Sequence, residues 1–184
     1  MGGSKVDFAD VKEFIQSLVI AGVLAFFIIT FVAQSFVVDG ESMKPTLSNG
    51  ERLFVNKFIY RFNSPERGDI VVFTPSGNEN KMYIKRIIGL PGEEVLIEDG
   101  TTYIDGKPLE EDYINEKPIR NSGPYEIPEE KYFVLGDNRN QSADSRYSQV
   151  GFVSDDSISG KAFWVYWPLT EMRVIRTYEY NHSI

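Results

Sequence analysis

The stretch Tyr83-Ile84-Lys85-Arg86-Ile87-Ile88-Gly89-Leu90-Pro91-Gly92 decides the fold class that the sequence predicts. Its β-branched residues favour a strand, which we expect from Met82 to Leu90 and which the closing Pro-Gly pair ends. Because side chains alternate across a strand, Lys85 shares one face with Tyr83 and Ile87. The run therefore predicts a strand that carries a lysine on a largely apolar face.

Similar short runs on both sides of this strand indicate a mainly β fold. Residues rich in Val, Ile and Phe predict further strands at Arg52–Val55, Asp69–Phe73, Lys131–Leu135 and Lys161–Trp167. The pair Asp99-Gly100 predicts a hairpin between Glu93–Ile97 and Thr102–Ile104, because Asp-Gly suits a tight turn. The chain has 15 Gly, 9 Pro and 14% aromatic residues, which fits a turn-rich globule rather than disorder.

The N-terminal part of the chain has a different composition. Residues 1–13 are polar and form a tail, whereas residues 14–38 contain no charged side chain. As a helix, residues 14–38 would extend about 37 Å, and crossing the apolar core of a bilayer takes about 30 Å. We therefore expect one transmembrane helix over 14–38. The alternatives are a buried core helix, or a cleaved signal peptide that ends at Ala33-Gln34-Ser35.

Length, charge and residue usage exclude several classes of function. The 184 residues suit one domain with at most a small satellite. The 19 Lys and Arg against 27 Asp and Glu give a net charge of −8, which argues against nucleic acid as the partner. The chain has no Cys and one His, and it lacks a His-Glu-x-x-His motif. We therefore expect no thiol chemistry, no metal site and no cofactor.

The segment Gly40–Leu47, directly after the apolar run, offers one hydroxyl in a short turn, that of Ser42. A serine is a weak nucleophile and needs an adjacent base. The single histidine, His182, lies two residues before the last one, where chains are usually mobile unless tied down. A Ser-His-Asp triad is therefore not expected, and the base for Ser42 has to be a lysine or a carboxylate.

Lys85 is the candidate base. Burial on an apolar face disfavours the ammonium form and lowers the pKa of a lysine. A lysine whose pKa falls to about 7–8 accepts a proton near neutral pH. The alternative is that Lys85 and Arg86 belong to a solvated sheet edge, where charged side chains deter pairing with another chain.

The loop Gly136–Arg146 is dense in hydroxyls, carboxylates and guanidinium groups. A buried polar loop has to satisfy its own hydrogen-bonding groups, and Asp137, Asp144 and Arg146 are able to pair within it. Ser142 or Ser145 is able to hold a neutral lysine amine by a hydrogen bond. The loop is thus either part of a site with Lys85 or an ordinary surface loop.

Four sequence boxes, in this order along the chain, resemble those of bacterial type I signal peptidases. They are Ser42-Met43 with Pro45-Thr46-Leu47, Arg67–Phe73, Tyr83–Gly92, and Gly136–Arg139 with Ser142 and Asp144–Arg146. An apolar segment precedes the first box, as in that family, and the resemblance covers Phe14 to about Arg173. One box alone is a weak match, but four boxes in order at these spacings are specific.

The resemblance implies a Ser-Lys dyad. Ser42 attacks the scissile carbonyl of a preprotein and becomes an ester, in this interpretation. Lys85 takes the proton of that hydroxyl and later activates the water that hydrolyses the ester, while Ser142 orients the lysine amine. Met43, beside the nucleophile, helps to shape the substrate cleft. Gly40 departs from part of the family, in which a serine two residues before the nucleophile helps to stabilise the oxyanion.

The resemblance also implies supporting contacts and a class of substrate. Asp144 and Arg146 form a structural salt bridge, and Asp137 is a further partner of Arg146. Because Gly40 has no side chain to donate, the oxyanion hole rests on the backbone N–H of Ser42 and on another donor or water. The substrates are secreted preproteins with small side chains at the first and third positions before the cut.

The implied architecture is an N-terminal transmembrane helix followed by a catalytic antiparallel β domain with a small β insert. Residues 1–13 are a tail and 14–38 the membrane span. The catalytic core comprises 39–92 and 131–176, the insert 93–130, and the C-terminal tail 177–184. We expect a single-pass protein of the cell membrane, with the catalytic domain on the extracytoplasmic side and the lipid bilayer as a partner.

Two other interpretations stay open on the residues alone. A self-cleaving repressor-type peptidase uses the same dyad, but it needs no membrane span and usually carries a partner domain. A membrane-anchored β module that binds extracellular ligands would process no preprotein, so changing Lys85 would have no effect on processing.

The last predicted strand carries four aromatic residues, Phe163, Trp164, Tyr166 and Trp167, on both of its faces. We expect one set of these rings to face the membrane.

Overall fold

The computed structural model describes residues 8–31, 33–76 and 81–180. It begins with helix α1, Phe8–Phe31, and single 3-10 turns lie at Ile59–Arg61, Asp155–Ser157 and Leu169–Glu171. The strands are β1 Ala33–Val37, β2 Arg52–Asn56, β3 Ile70–Phe73, β4 Tyr83–Gly89, β5 Glu94–Glu98, β6 Thr101–Ile104, β7 Lys107–Pro108, β8 Ser122–Glu126, β9 Lys131–Leu135, β10 Val153–Ser154, β11 Ile158–Trp167 and β12 Arg173–Val174. The strands pair in antiparallel fashion, so the predicted mainly β fold is confirmed.

The larger sheet has the strand order β1-β2-β11-β3-β4-β9-β10, and β12 pairs with β11. Strand β4 lies between β3 and β9, and its residues from Lys85 to Gly89 are buried. The alternative that Lys85 and Arg86 belong to a solvated sheet edge is therefore wrong. Both side chains are enclosed because β4 has a strand on each side and packed elements over its faces.

The turn that carries Ser42 is anchored by the hydrophobic core of this sheet. Met43 and Leu47, which flank the cis peptide bond of Pro45, pack with Leu53 of β2 and with other buried residues of β3 and β11. Fully burying such a side chain contributes roughly 1.5–3 kcal/mol. The core therefore fixes the backbone on the C-terminal side of Ser42.

A second sheet of four strands has the order β7-β6-β5-β8. The predicted hairpin is confirmed, because Glu98 pairs with Thr101 and leaves a two-residue turn. Asp99 and Gly100 both have positive φ, 48° and 76°, as the tight turn requires. Ile97 and other apolar residues of this sheet pack in one cluster with residues of β4 and β9, which joins the two sheets.

The N-terminal segment differs from the predicted helix over residues 14–38. Helix α1 starts before this range, at Phe8, and ends at Phe31, and Ala33–Val37 is strand β1. This strand pairs with β2, which gives its backbone hydrogen-bond partners in the sheet, and the Ser35 and Tyr166 hydroxyls lie 2.7 Å apart. Among the residues that the structure describes, no helix meets both the length and the apolar character that crossing a bilayer requires.

The described part of the predicted C-terminal tail, residues 177–180, packs against the rest of the chain. Thr177 Oγ1 donates to Asp69 Oδ1 over 2.8 Å, and the Tyr180 and Tyr113 hydroxyls lie 2.8 Å apart. The backbone of Tyr178 passes so close to Gly68 that a Cβ there would lie 2.3 Å from its carbonyl oxygen. The remainder of the predicted tail, with His182, lies outside the described residues.

Candidate active site

The turn that carries Ser42 follows β1 and is held by local hydrogen bonds. Gly40 has a φ of +102°, which favours glycine, and its N–H donates to Asn49 Oδ1 over 2.8 Å. Lys44 N–H donates to the carbonyl of Glu41 over 3.2 Å, which closes the turn around Ser42. The backbone shape of the turn therefore accounts for a glycine at position 40.

Strand β4 brings Lys85 to this turn. Lys85 Nζ lies 2.7 Å from Ser42 Oγ and donates to the carbonyl oxygen of Ile84 over 2.8 Å. The Lys85 residue is only 4% exposed. The two residues that the sequence singled out, 43 positions apart, are thus in direct hydrogen-bond contact.

The surroundings of Lys85 favour its neutral form. Burial lowers the pKa of Lys85 from 10.5 to about 8, while the negative charges of Asp144 and Asp137 act in the opposite direction. The lowered pKa agrees with the range of about 7–8 expected for a lysine base. A neutral amine at 2.7 Å from Ser42 is able to accept the hydroxyl proton.

A cavity of about 560 Å³ opens beside these two side chains. Ser42, Lys85 and Gly40 lie on its wall, and Gln141 and Ala143 border it from the loop between β9 and β10. The apolar part of the wall is formed by Phe36, Val37, Val38, Leu53, Val72, Met82, Tyr83 and Ile84. The arrangement is able to hold an extended, mostly apolar peptide with its reacting carbonyl next to the hydroxyl.

The loop Gly136–Arg146 lies directly against the Ser42 turn. Asn138 N–H donates to the carbonyl of Ser42 over 3.0 Å, and Asn138 Nδ2 donates to the carbonyl of Glu41 over 3.1 Å. A Cβ at Gly136 would lie 2.4 Å from the Ser42 carbonyl oxygen and 2.2 Å from Ser142 Oγ. Glycine at position 136 is therefore required for the close approach of the two segments.

Asp144 and Arg146 form the salt bridge that the sequence predicted. Arg146 Nε and Nη2 each donate to a carboxylate oxygen of Asp144 over 2.8 Å. Arg146 also donates to the carbonyl of Arg139 over 2.7 Å, and Gly136 N–H donates to Asp144 Oδ2 over 3.1 Å. The pair thereby ties both ends of the loop together.

Asp137 pairs with Arg86, which corrects the prediction that it pairs with Arg146. Arg86 Nε and Nη2 donate to the two carboxylate oxygens of Asp137 over 2.9 and 2.7 Å. Thr46 Oγ1 also donates to Asp137, which links this buried pair to the Ser42 turn. Burial opposes the charge of Arg86, but its hydrogen bond to Asp137 and the charge of that carboxylate raise its pKa above the usual value. Local pairing with Arg146 does not occur because that guanidinium is already bidentate on Asp144.

Ser142 lies in the site, but its contacts differ from the prediction. Its hydroxyl is buried and makes no hydrogen bond to another described residue, so it does not orient the Lys85 amine in this structure. The carbonyl of Ile84 accepts from that amine instead. The Oγ of Ser142 is within contact distance of the Gly136 backbone and hence close to the Ser42 turn.

The other two predicted site residues lie at different depths. Gly40 lines the cavity, as expected for a residue of the cleft. Met43 is 1% exposed and packs in the core, so it is not on the cavity wall. Met43 packs behind the turn and supports it from the core, so its expected part in shaping the cleft stays a prediction.

Several buried polar residues near the site were not predicted from the sequence. Arg139 forms a bidentate pair with Glu111 and donates to the carbonyl of Gly136 over 3.2 Å. Tyr113 lies under the Arg86 guanidinium, 4.1 Å from Arg86 Cζ to its ring centre. Both contacts connect the second sheet's loops to the site. Arg139 could have indicated these contacts, because no partner was assigned to this residue of the box Gly136–Arg139.

Comparison with known proteins identifies the family. A family model described as "Signal peptidase, peptidase S26" matches residues 11–167. A probable signal peptidase I-2 of Synechocystis sp. is 44% identical over 165 residues, which is 87% of this chain and 75% of that protein. Signal peptidase I P of Bacillus subtilis subsp. natto is 40% identical over 176 residues, which is 90% of this chain and 94% of that protein.

The similar proteins include a solved structure. The crystal structure of a signal peptidase I from Enterococcus faecalis V583 is 40% identical, with a TM-score of 0.47. The match covers 54% of this chain and 97% of the Enterococcus faecalis chain. The family model spans most of the sequence, and the relatives match nearly its full length at 40% identity or more. The chain therefore belongs to the signal peptidase family, peptidase S26, and is a hydrolase of the signal peptidase I type.

Proposed function

We propose that this chain is a membrane-bound serine endopeptidase that removes signal peptides from secreted preproteins through a Ser42–Lys85 dyad. Membership of the signal peptidase family supports the class of reaction and of substrate. The observation that carries the proposal is the 2.7 Å contact between Lys85 Nζ and Ser42 Oγ. That contact lies beside a cavity large enough for a peptide segment.

Acylation starts when neutral Lys85 accepts the hydroxyl proton of Ser42 at Nζ. Ser42 Oγ forms a bond to the scissile carbonyl carbon, and the carbonyl oxygen takes up the negative charge. The backbone N–H of Ser42 donates to that oxyanion. Lys85 Nζ then gives its proton to the leaving amide nitrogen, the C–N bond breaks, and the new N-terminus departs.

Deacylation uses the same two groups. Lys85 Nζ takes a proton from a water molecule, whose oxygen bonds to the ester carbon of the acyl-enzyme. Ser42 Oγ then leaves and recovers a proton from Nζ. The hydrogen bond from Lys85 to the Ile84 carbonyl supports this role, because it limits the positions that the amine takes up between the two steps.

The remaining predicted site residues have supporting roles in this proposal. The pair Asp144–Arg146 and the contact of Asp137 with Arg86 keep the loop against the Ser42 turn. Ser142 lies against the backbone of Gly136, where its loop meets the Ser42 turn, and in this proposal it supports that close packing.

The proposal includes specificity for small side chains at the first and third positions before the cut, and the lining of the cavity supports it. Its wall combines the backbone of Gly40 with apolar side chains such as Phe36, Val72 and Ile84. Asp39, Glu41 and Lys81 also line the cavity, so only the apolar part of the wall disfavours charged side chains, because burying a charge without a partner is costly. Alternate residues of an extended peptide point to the same side, so the two small residues would share this wall.

The proposal includes a position at the cell membrane as a single-pass protein, with the catalytic part on the extracytoplasmic side. The uncharged sequence of α1 from residue 14 to 31 supports this position, as do the exposed side chains of α1 from residue 11 to 24. Residues 39–92 and 131–176 form the catalytic part and 93–130 a small insert. The second sheet, whose strands all lie within residues 94–126, supports that division.

The proposal is tested by incubating the full chain, in detergent, with a synthetic preprotein. We expect cleavage after a small residue by the wild type, and no cleavage by Ser42→Ala or Lys85→Ala. Lys85→Arg should also be inactive, since arginine stays protonated and cannot act as a base. Cleavage is measured by gel shift and by mass spectrometry of the new N-terminus.

The control is a variant far from the dyad, Lys107→Ala, on an exposed strand of the second sheet. It should cleave as the wild type does. Substantial turnover by Lys85→Arg would remove the lysine from its role as base, and turnover by Ser42→Ala would remove the proposed nucleophile. Circular dichroism spectra of all variants should match, which separates loss of chemistry from loss of fold.

A further inference from the structure

One residue holds the peptide units on both sides of Ser42. Asn138 N–H donates to the carbonyl of Ser42 over 3.0 Å, and its side-chain Nδ2 donates to the carbonyl of Glu41 over 3.1 Å. These carbonyls belong to consecutive peptide units, and Ser42 Cα lies between them. A single residue of the loop therefore restrains the orientation of the backbone that carries Ser42.

The contact with Glu41 controls the direction of the Ser42 N–H. The carbonyl of Glu41 and the N–H of Ser42 belong to one planar peptide unit and point in opposite directions. Because Asn138 Nδ2 fixes the carbonyl, it also fixes the line along which the N–H points. Within the described part of the chain, no backbone or side-chain group accepts a hydrogen bond from Ser42 N–H.

The Glu41 carbonyl accepts a second hydrogen bond, from Lys44 N–H over 3.2 Å. Hydrogen bonds polarise one another along a chain, so two donors on this oxygen make the N–H of the same peptide unit a stronger donor. The Lys44 contact comes from within the turn, whereas the Asn138 contact comes from a separate segment. Asn138 thus adds both polarisation and an external anchor.

Asn138 is itself held by its neighbours. Asp137 and Arg139 are 0% and 2% exposed, and each forms a buried bidentate ion pair, with Arg86 and with Glu111. Asn138 is only half-buried, so core packing does not account for its position in the loop. Its two donations to the Ser42 turn are what distinguish it from the residues around it.

We propose that Asn138 is a positioning residue for the oxyanion site: its amide aims and polarises the Ser42 N–H toward the developing negative charge. This inference rests on the proposed function, in which Ser42 is the nucleophile. It gives a reason why the enzyme works with Gly40, which has no side chain to donate to the oxyanion. A backbone donor used without that hydroxyl has to be held in a fixed direction.

The test compares Asn138→Ala with Asn140→Ala in the full chain, in detergent, on one preprotein substrate. Asn140 lies in the same loop and also donates its side-chain amide to a backbone carbonyl, that of Lys117 over 3.1 Å, but it is exposed and away from Ser42. We expect Asn138→Ala to lower kcat by about tenfold to a hundredfold, below the loss for complete removal of a donor. KM should stay the same, and Asn140→Ala should match the wild type.

Two further readouts separate positioning from a structural role. The midpoint of the pH–rate profile should not move, because Asn138 contacts neither Lys85 nor Ser42 Oγ. A peptide boronate, which bonds to Ser42 Oγ as a tetrahedral adduct, should bind Asn138→Ala more weakly by the factor by which kcat falls. A reversible substrate-like peptide should bind unchanged.

Should Asn138→Ala fail to fold, Asn138→Leu keeps the approximate size of the side chain and the backbone N–H but removes the amide donor without adding a charge, and it should lose kcat likewise. Wild-type kcat in a folded variant at position 138 would overturn the inference, as would a fall in kcat with a shifted pH midpoint or an equal rise in KM. If the wild type cleaves in a Ser42-dependent way while Asn138→Ala keeps full rate, only this inference fails. Absence of Ser42-dependent cleavage by the wild type overturns both proposals.

Discussion

Lys85 has a hydroxyl and a carbonyl oxygen within hydrogen-bond distance, and its nearest counter-charges, Asp144 and Asp137, are engaged with arginines. An ammonium group in that position is poorly compensated, because both carboxylates already have a cationic partner. The neutral amine keeps its hydrogen bonds and loses nothing by burial. At the scale of the residue, the environment of Lys85 therefore favours the protonation state that a base needs.

The first prediction at this scale concerns the pH dependence of the rate. Since the pKa of Lys85 is lowered to about 8 and the neutral form is the base, kcat/KM should rise with pH up to about 8 and level off above it. The profile is measured on a short peptide substrate under conditions in which chemistry limits the rate. A flat profile from neutral to alkaline pH would contradict the assignment.

The same shift predicts a change in stability with a definite sign. The unfolded chain binds a proton at this lysine up to a pKa of 10.5, and the folded chain only up to about 8. The free energy of unfolding therefore rises with pH between these two values, and below pH 8 the full cost of burying the charged lysine remains. Lys85→Met should thus be more stable than the wild type at pH 7, by an amount on the order of 3 kcal/mol. Urea unfolding should show this gap closing toward pH 10.5.

Strand β4 carries the two sides of the site on its opposite faces. Lys85 points to the cavity and the Ser42 turn, and Arg86 points to the Asp137 carboxylate and the Tyr113 ring. The alternation of the strand was readable from the sequence, because its β-branched residues and the Pro-Gly stop are local signals. The partner of Arg86 was not, because Asp137 is 51 positions away and a nearer arginine, Arg146, competed for it in the pattern.

The difference between local signals and contacts with distant residues also explains which elements could be predicted. The hairpin at Asp99-Gly100 depends on two adjacent residues, so the local sequence was enough to predict its turn. Strand β1 was missed because Ala33–Val37 continues an uncharged run, and only pairing with β2 makes it a strand. The contacts of Ser142 depend on the close packing of its loop around Gly136, which no local sequence pattern reports.

The prediction at the scale of this element tests the pair Arg86–Asp137. Asp137→Ala leaves a buried guanidinium without its partner, which should cost about 3–5 kcal/mol of stability. Lys44→Ala removes the ion pair with Glu41, whose side chains are 48% and 44% exposed, and should cost under about 1 kcal/mol. Urea unfolding of both variants in detergent measures the difference. Equal losses would mean that the buried Arg86–Asp137 pair contributes no more to stability than an exposed ion pair.

At the scale of the whole molecule, one end of the larger sheet exposes a group of apolar side chains. They are Trp167, Leu169, Met172 and Val174, at the end of β11 and in the turn and strand that follow. Trp167 pairs with Arg52, which pairs in turn with Val37 on the wall of the cavity. The exposed group therefore lies on the side of the sheet end that borders the cleft.

The aromatic residues of β11 do not divide by simple alternation along the strand, because its pairing with β2 shifts register between Ala162 and Trp164 and between Val165 and Trp167. Phe163, Trp164 and Tyr166 are half-buried and gather around Phe54, with Tyr166 at 4.4 Å between ring centres, whereas Trp167 is exposed. Trp is favoured where apolar and aqueous phases meet, so this ring and its apolar neighbours fit a bilayer surface. Contact with lipid stays a prediction. A truncated chain made to test it should begin before Ala33, because β1 is part of the sheet.

The last prediction uses the full chain in vesicles that contain anionic lipid. A variant with Trp167→Ser, Leu169→Ser and Met172→Ser loses apolar surface that would enter the interface, so it should cleave a membrane-inserted preprotein several-fold more slowly. The same variant should cleave a short soluble peptide at the wild-type rate, because none of these residues lines the cavity. Ile119→Ser, at an exposed residue that lies outside this group, is the matched control and should leave both rates unchanged. If both substrates slow equally in the triple variant, the group supports the fold of the site and has no part in meeting the membrane.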